Sequence, residues 1–240
     1  MTTYYNFTDP QALHAATHDE MVVVVPLPKQ LPDGWVYHDI DINTVAFTDG
    51  LDEHDSFIDI KLPYPIGGEV WLRETWGYNF YSAVSKYVYR ADYIGKPEYT
   101  ELSWLPSQCQ PAESIRYKGT VTGARVERVH GVTPQEIMAT GLVKLDADIP
   151  PIDEYVLYSQ QAIERFKDWF NSRYSKPKPI KEHGEIVGYR CFIWSIDSEF
   201  QRLVKDRGSY GCTDGKPTWK GKPLEVIVNG FVEIFTARKE

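Results

Sequence analysis

The sequence predicts an α+β fold: a curled β-barrel with a few flanking helices. Three observations carry that expectation. Short stretches in which apolar and polar residues alternate recur along the chain, as at 69–75 and 86–90, and period-two alternation marks a half-buried strand. The stretch 116–129 contains Gly119 and Gly123, and glycines inside a strand suggest bulges that let a sheet curl. Helical periodicity is confined to a few segments. Many strands, few helices and strong curvature signals together point to a barrel.

The elements follow in order. Residues 1–20 read as an N-terminus with one short helix near 9–16. Strands are expected at 21–25 and 35–47, separated by the turn cluster Pro28-Lys29-Gln30-Leu31-Pro32-Asp33-Gly34, in which proline and glycine punctuate the chain. Further strands are expected at 56–61, 69–75, 86–90 and 116–129. Thr133-Pro134-Gln135-Glu136 has threonine at the N-cap, proline at the first helical position and glutamate at the third, a capping box. That helix should stop at Gly141. Ser159 is placed to cap a longer helix with Ile163, Phe166, Trp169 and Phe170 on one stripe. A third helix is expected over 197–207, with Phe200, Leu203 and Val204 on its apolar face. The polar, proline-bearing stretches 176–188 and 208–223 read as surface loops. The chain should close with a strand over 224–236, broken at Asn229-Gly230.

Composition narrows the class. The chain has 240 residues, 42% of them hydrophobic and 14% aromatic, enough for a sizeable core. No apolar run approaches the roughly eighteen residues of a membrane span, so no membrane partner is expected. The three cysteines, Cys109, Cys191 and Cys212, are odd in number and widely spaced. That spacing indicates neither a disulfide framework nor a zinc site and suits reduced thiols in the cytoplasm. The six histidines show no metal spacing, although His14 and His18 are four apart on the expected first helix. Glycine-rich phosphate loops and a Gly-x-Ser-x-Gly nucleophile elbow are also missing. No cofactor is expected.

Charge is unevenly spread. Residues 1–62 hold eleven acids against two lysines, net −9, whereas the remainder holds twenty-three acids and twenty-four bases. An acidic front on a near-neutral body argues against bulk electrostatic binding of long nucleic acid, which needs basic stripes. It leaves room for a local pocket that takes one base or nucleotide. The boundary expected from this asymmetry is an acidic, strand-containing segment over 1–61 packed on a domain over 62–240, with an inserted helix and loops at about 176–222.

The most informative stretch is Gly67-Gly68-Glu69-Val70-Trp71-Leu72-Arg73-Glu74-Thr75-Trp76. Alternation places Val70, Leu72 and Glu74 on one face and Trp71, Arg73 and Thr75 on the other. An arginine, a glutamate and two tryptophans within six positions must pack, pair or bind. This stretch resembles the Gly-Asp-x-Leu-Trp-Val-Arg-Glu-Thr-Trp hallmark of bacteriophage-borne proteins related to the ASCH domain of the PUA-like superfamily. Further pieces fall in the same order: Tyr89-Arg90-Ala91-Asp92, Trp104-Leu105-Pro106-Ser107, and the run from Val121 to Gly141. The resemblance covers 62–142, with weaker support at 159–171 and 217–235.

The resemblance implies a PUA-like barrel whose cleft binds nucleic acid or a modified nucleotide, in a phage-encoded protein working in the host cytoplasm. Ligand contact is then expected from Arg73, Glu74, Trp76, Arg90 and Trp104. Arginines suit phosphate, tryptophans offer stacking platforms, and Glu74 suits a base edge. The competing structural use is packing for the tryptophans, and for Glu74 an internal ion pair with Arg73 or Arg90.

Some relatives hydrolyse an acyl amide on a modified cytidine, using a Gly-x-Lys-x-x-Thr segment and a later glutamate. No such segment precedes residue 62, where the lysines are Lys29 and Lys61. An amidohydrolase with Glu74 as acid/base and Lys61 as substitute is therefore the alternative, and binding without catalysis is favoured. A third reading is an acidic interaction protein, in which segment 1–61 mimics nucleic acid and engages a host protein.

Overall fold

The computed structural model describes residues 2–27, 29–31, 36–41, 44–48, 57–79, 86–143, 154–194, 210–213 and 216–240. Its centre is a five-stranded sheet that curls into a half-barrel, in the order β1 (Thr3–Asn6), β6 (Glu69–Arg73), β9 (Tyr117–Arg128), β15 (Phe231–Lys239), β2 (Glu20–Pro26). The β1–β6 pair is parallel and the other pairs are antiparallel. The expected β-rich α+β architecture is present.

The curl follows from the glycines of β9. Between β9 and β15 the register slips where Thr236 faces Gly123 and Ala237 faces Val121, leaving Thr122 as the extra residue of a bulge. At Gly119 a Cβ atom would lie 2.5 Å from the carbonyl oxygen of Arg238, so the close approach of β15 there excludes any side chain.

Alternation then sorts the core onto two sides of the sheet. Tyr5, Val70, Leu72, Tyr117, Val121 and Phe235 pack on one side with Ala12 and Ala15 of α1 (Asp9–Thr17). On the other side Val24, Val232 and Ile234 pack against Phe166 and Phe170 of α3 (Glu154–Tyr174) and Ile137 of α2 (Pro134–Ala139). The α2 cap forms as its sequence dictates: the Thr133 amide donates to Glu136 Oε2 at 2.9 Å and the Glu136 amide to Thr133 Oγ1 at 3.3 Å. Gly141, at φ 68°, follows the helix end.

Two further sheets lie among the described residues. The strands β3 (Val36–Ile40), β4 (Thr44–Thr48) and β5 (Phe57–Lys61) form an antiparallel meander. Its Val45, Phe47 and Ile60 bury against Leu27, Leu62 and Phe231. The other sheet has the order β10 (Lys178–Glu182), β11 (Glu185–Ile193), β14 (Lys222–Val228), β13 (Lys216–Trp219), β12 (Tyr210–Thr213). A short pair, β7 (Trp76–Tyr78) and β8 (Tyr87–Tyr89), extends the motif strand after a break at Glu74-Thr75.

Several expectations need correction. Residues 176–188 and 208–223 are not plain loops but supply β10, β12 and β13 and the starts of β11 and β14. Two turns carry both hairpins, His183-Gly184 at φ 48° and 88° and Lys220-Gly221 at φ 50° and 73°. Left-handed turn pairs of this kind match the twist of flanking strands. The span 35–47 is a hairpin rather than one strand. Ser159 does not cap α3, which begins at Glu154; serine is tolerated in a helix interior, so it is a weak start signal by itself. The helix expected over 197–207 lies outside the described residues.

Segment 1–61 is also more than a decoration. β1 and β2 are strands of the central sheet itself, one at each end of its strand order. Among the described residues no helix is long and apolar enough to cross a membrane.

Candidate functional site

Alternation along β6 turns Val70 and Leu72 inward, and Glu74 continues on that buried side, 1% exposed. Its ion-pair partner is neither Arg73 nor Arg90. Arg116, just before β9, donates from Nε to Glu74 Oε1 at 2.7 Å and from Nη2 to Oε2 at 2.8 Å. The same guanidinium forks onto Asp92, with Nη1–Oδ2 at 2.7 Å and Nη2–Oδ1 at 2.9 Å. Its Cζ lies 4.1 Å from the Tyr89 ring centre and 4.9 Å from that of Tyr117. The Glu74 amide donates to Gln110 Oε1 at 2.8 Å.

Burial pushes the Glu74 carboxyl up to about 7; Arg116 opposes the shift, and Asp92 and Asp9 reinforce it. Arg116 is itself held more firmly protonated, because its bonds to both carboxylates outweigh the burial that disfavours its charge.

Arg90 is engaged with the first residue of α1: its Nε donates to Asp9 Oδ2 at 2.7 Å. Trp76 is 2% exposed and packs edge-on against Tyr78 and Tyr87, with centroids 5.0 and 5.7 Å away. It offers no open face for stacking. Trp104 donates from Nε1 to the Tyr99 carbonyl at 3.0 Å and packs against Tyr93 and Tyr99. Glu74, Trp76, Arg90 and Trp104 are thus held by the protein's own groups.

Arg73 stands apart, on the outward face of β6. Cross-strand register sets Tyr4 of β1 and Lys118 of β9 on either side of Trp71. Arg73 Cζ lies 3.8 Å from the Tyr4 ring centre and Lys118 Nζ lies 4.1 Å from that of Trp71. Tyr4 and Trp71 meet edge to face at 5.8 Å. Arg73 Nε has no hydrogen-bond partner, and Nη1 reaches the Gln108 carbonyl only at 3.4 Å. Trp71 Nε1 donates to Glu69 Oε1 at 2.5 Å. The result is a ladder of two aromatic rings and two cations across three strands. Lys118 falls in the strand expected over 116–129, but no strand was expected at Tyr4, and nothing in the sequence said that β1 would lie beside β6.

A second buried carboxylate lies on β15. Glu233 is fully buried, alternating with the inward-facing Phe235 and Ala237. Its oxygens receive the Tyr64 amide, each at 3.3 Å. Burial pushes its carboxyl up to about 8, and the Tyr64 amide only partly opposes this. Burial thus favours the protonated form of Glu233. Among the described residues no three His, Cys, Asp or Glu side chains cluster as a metal site would require.

Comparison of this chain with protein-family models, with curated proteins and with solved structures finds no match.

Proposed function

We propose that this protein is a binding module for single-stranded nucleic acid or a nucleotide, and that the outward face of β1, β6 and β9 is where the ligand lies. The observation that carries the proposal is the ladder of Tyr4, Trp71, Arg73 and Lys118. Aromatic rings on a sheet face offer stacking to unpaired bases, and adjacent cations offer contacts to phosphate. Within the motif this keeps Arg73 as an expected contact, adds Trp71, and sets aside Glu74 and Trp76, which are buried. A short strand suits this surface better than a long duplex, since the chain as a whole carries a net charge of −8.

The test is fluorescence anisotropy with labelled single-stranded RNA and DNA of about ten nucleotides, within the span such surfaces cover. Binding should weaken as salt rises. Trp71→Ala and Lys118→Ala should each weaken it by about tenfold, the scale of one lost stacking platform or charge contact, with the melting temperature little changed. Equal affinity of both variants and the parent protein would remove this face from the reading. Absence of binding to either strand type would remove the reading itself.

A further inference from the structure

Two cations at the C-terminal end of α3 share one tyrosine ring and have no acid between them. Arg173 Cζ lies 5.8 Å from the Tyr174 ring centre and Lys178 Nζ lies 5.6 Å from it. Partial desolvation, and then the charge of Arg173, pull the Lys178 ammonium below the ordinary lysine value. Among the described residues neither cation has a carboxylate within ion-pair distance. Arg173 donates from Nη2 to the Asn6 carbonyl at 3.0 Å, a neutral acceptor. The negative end of the α3 dipole eases the repulsion in part but supplies no anion. Like charges gathered without a counter-ion raise the free energy of the empty protein, and a bound anion relieves it.

Of these residues, Tyr174 and Lys178 border a cleft. Tyr174 and Lys178 line an opening of about 330 Å³ whose other walls include Pro26, Leu27, Ile180 and Phe192. Arg190 also faces it but is engaged by Glu225, Nε to Oε2 at 2.6 Å. That volume is at the lower end for a small-molecule site, and apolar walls with a few placed charges are the usual composition of one. The walls accept a flat apolar body, and Lys178 is left to meet an oxyanion, with the Arg173 charge behind it across Tyr174.

We propose that the cleft between β10, β11 and the end of β2 is a second ligand site, for a small oxyanion, carboxylate or phosphate, carried on a planar apolar group. It is separate from the sheet face of Tyr4, Trp71 and Lys118 and does not depend on nucleic-acid binding there.

Calorimetric titration of the full chain with phenyl phosphate, benzoate, inorganic phosphate and acetate at constant ionic strength tests it. Saturable binding of phenyl phosphate or benzoate at least about tenfold tighter than the matching bare anion is expected, because the ring adds apolar burial to the ion contact. Lys178→Ala should weaken that binding by about tenfold, and Lys178→Arg should restore it. The site is overturned if the aryl anions bind no tighter than phosphate and acetate, or if Lys178→Ala binds them as the parent does. It is equally overturned if Lys178→Ala weakens oligonucleotide binding in the same measure, since the cleft would then be part of a strand path. Unchanged oligonucleotide affinity in that variant keeps the two sites distinct.

Discussion

The charges around Glu74 and those around Arg173 are handled in opposite ways. At Glu74, Arg116 meets two carboxylates with four short hydrogen bonds and lies against two tyrosine rings. Beside it, Arg90 meets Asp9. Arg173 lies among the rings of Tyr5, Trp169 and Tyr174 and donates to a backbone carbonyl, and Lys178 meets the Tyr174 ring. The first group is matched within the protein and ties α1, the motif strand and the start of β9 together. The second has no carboxylate partner among the described residues, and its Lys178 borders a cleft. The contrast teaches that a chemically rich motif can be architecture, while plainer residues elsewhere are left available for a ligand.

The largest expected effect lies in the matched group. Arg116→Met leaves Glu74 buried beside Asp92 with no cation, and losing one partner of a buried pair costs about 3 kcal/mol. Urea unfolding should show that loss. A loss no larger than that of a surface substitution would mean that the network does not hold the motif in place.

Next comes pH. Glu233 has a folded value of about 8, against about 4.3 in an unfolded chain. Between those values the folded protein holds a proton that the unfolded chain has released, so stability is greatest below the window and falls as pH rises through it. Glu74, at about 7, acts in the same direction. Unfolding measured at pH 5 and pH 9 should show a decline of a few kcal/mol, on the order that such shifts imply. Glu233→Gln should flatten much of it, and identical slopes in the two proteins would contradict the burial argument.

The smallest effect belongs to the unmatched group. Lys178→Ala removes a like-charge neighbour of Arg173, so stability should be unchanged or raised by a few tenths of a kcal/mol. A clear loss in urea unfolding would show that Lys178 has a structural task and would narrow the contrast.

Much of the architecture was legible in the chain. Alternation gave the inward face of β6 and the buried side of Glu74. Gly119 and Gly123 marked the curl of β9, and Thr133 with Glu136 marked α2. The hairpins over 178–193 and 216–228 were harder to read, because Pro179, Pro217 and Pro223 interrupt their patterns, while the left-handed turns that join the strands fall on ordinary residues, His183 and Lys220.

The site was less legible than the fold. The sequence by itself placed Glu74 on the face of Val70 and Leu72 and left two uses for it, a ligand contact or an internal ion pair, since period-two alternation fixes the face and a desolvated carboxylate needs a partner of one kind or the other. Only the tertiary structure decided which cation. Arg116 lies 42 residues further on, and Arg73, the adjacent candidate, points to the opposite face of the strand. The pairing of Arg173 with Lys178 was decided in the same way. It exists because α3 ends where β10 begins, beside the end of β2, and no local pattern encodes how those three ends meet.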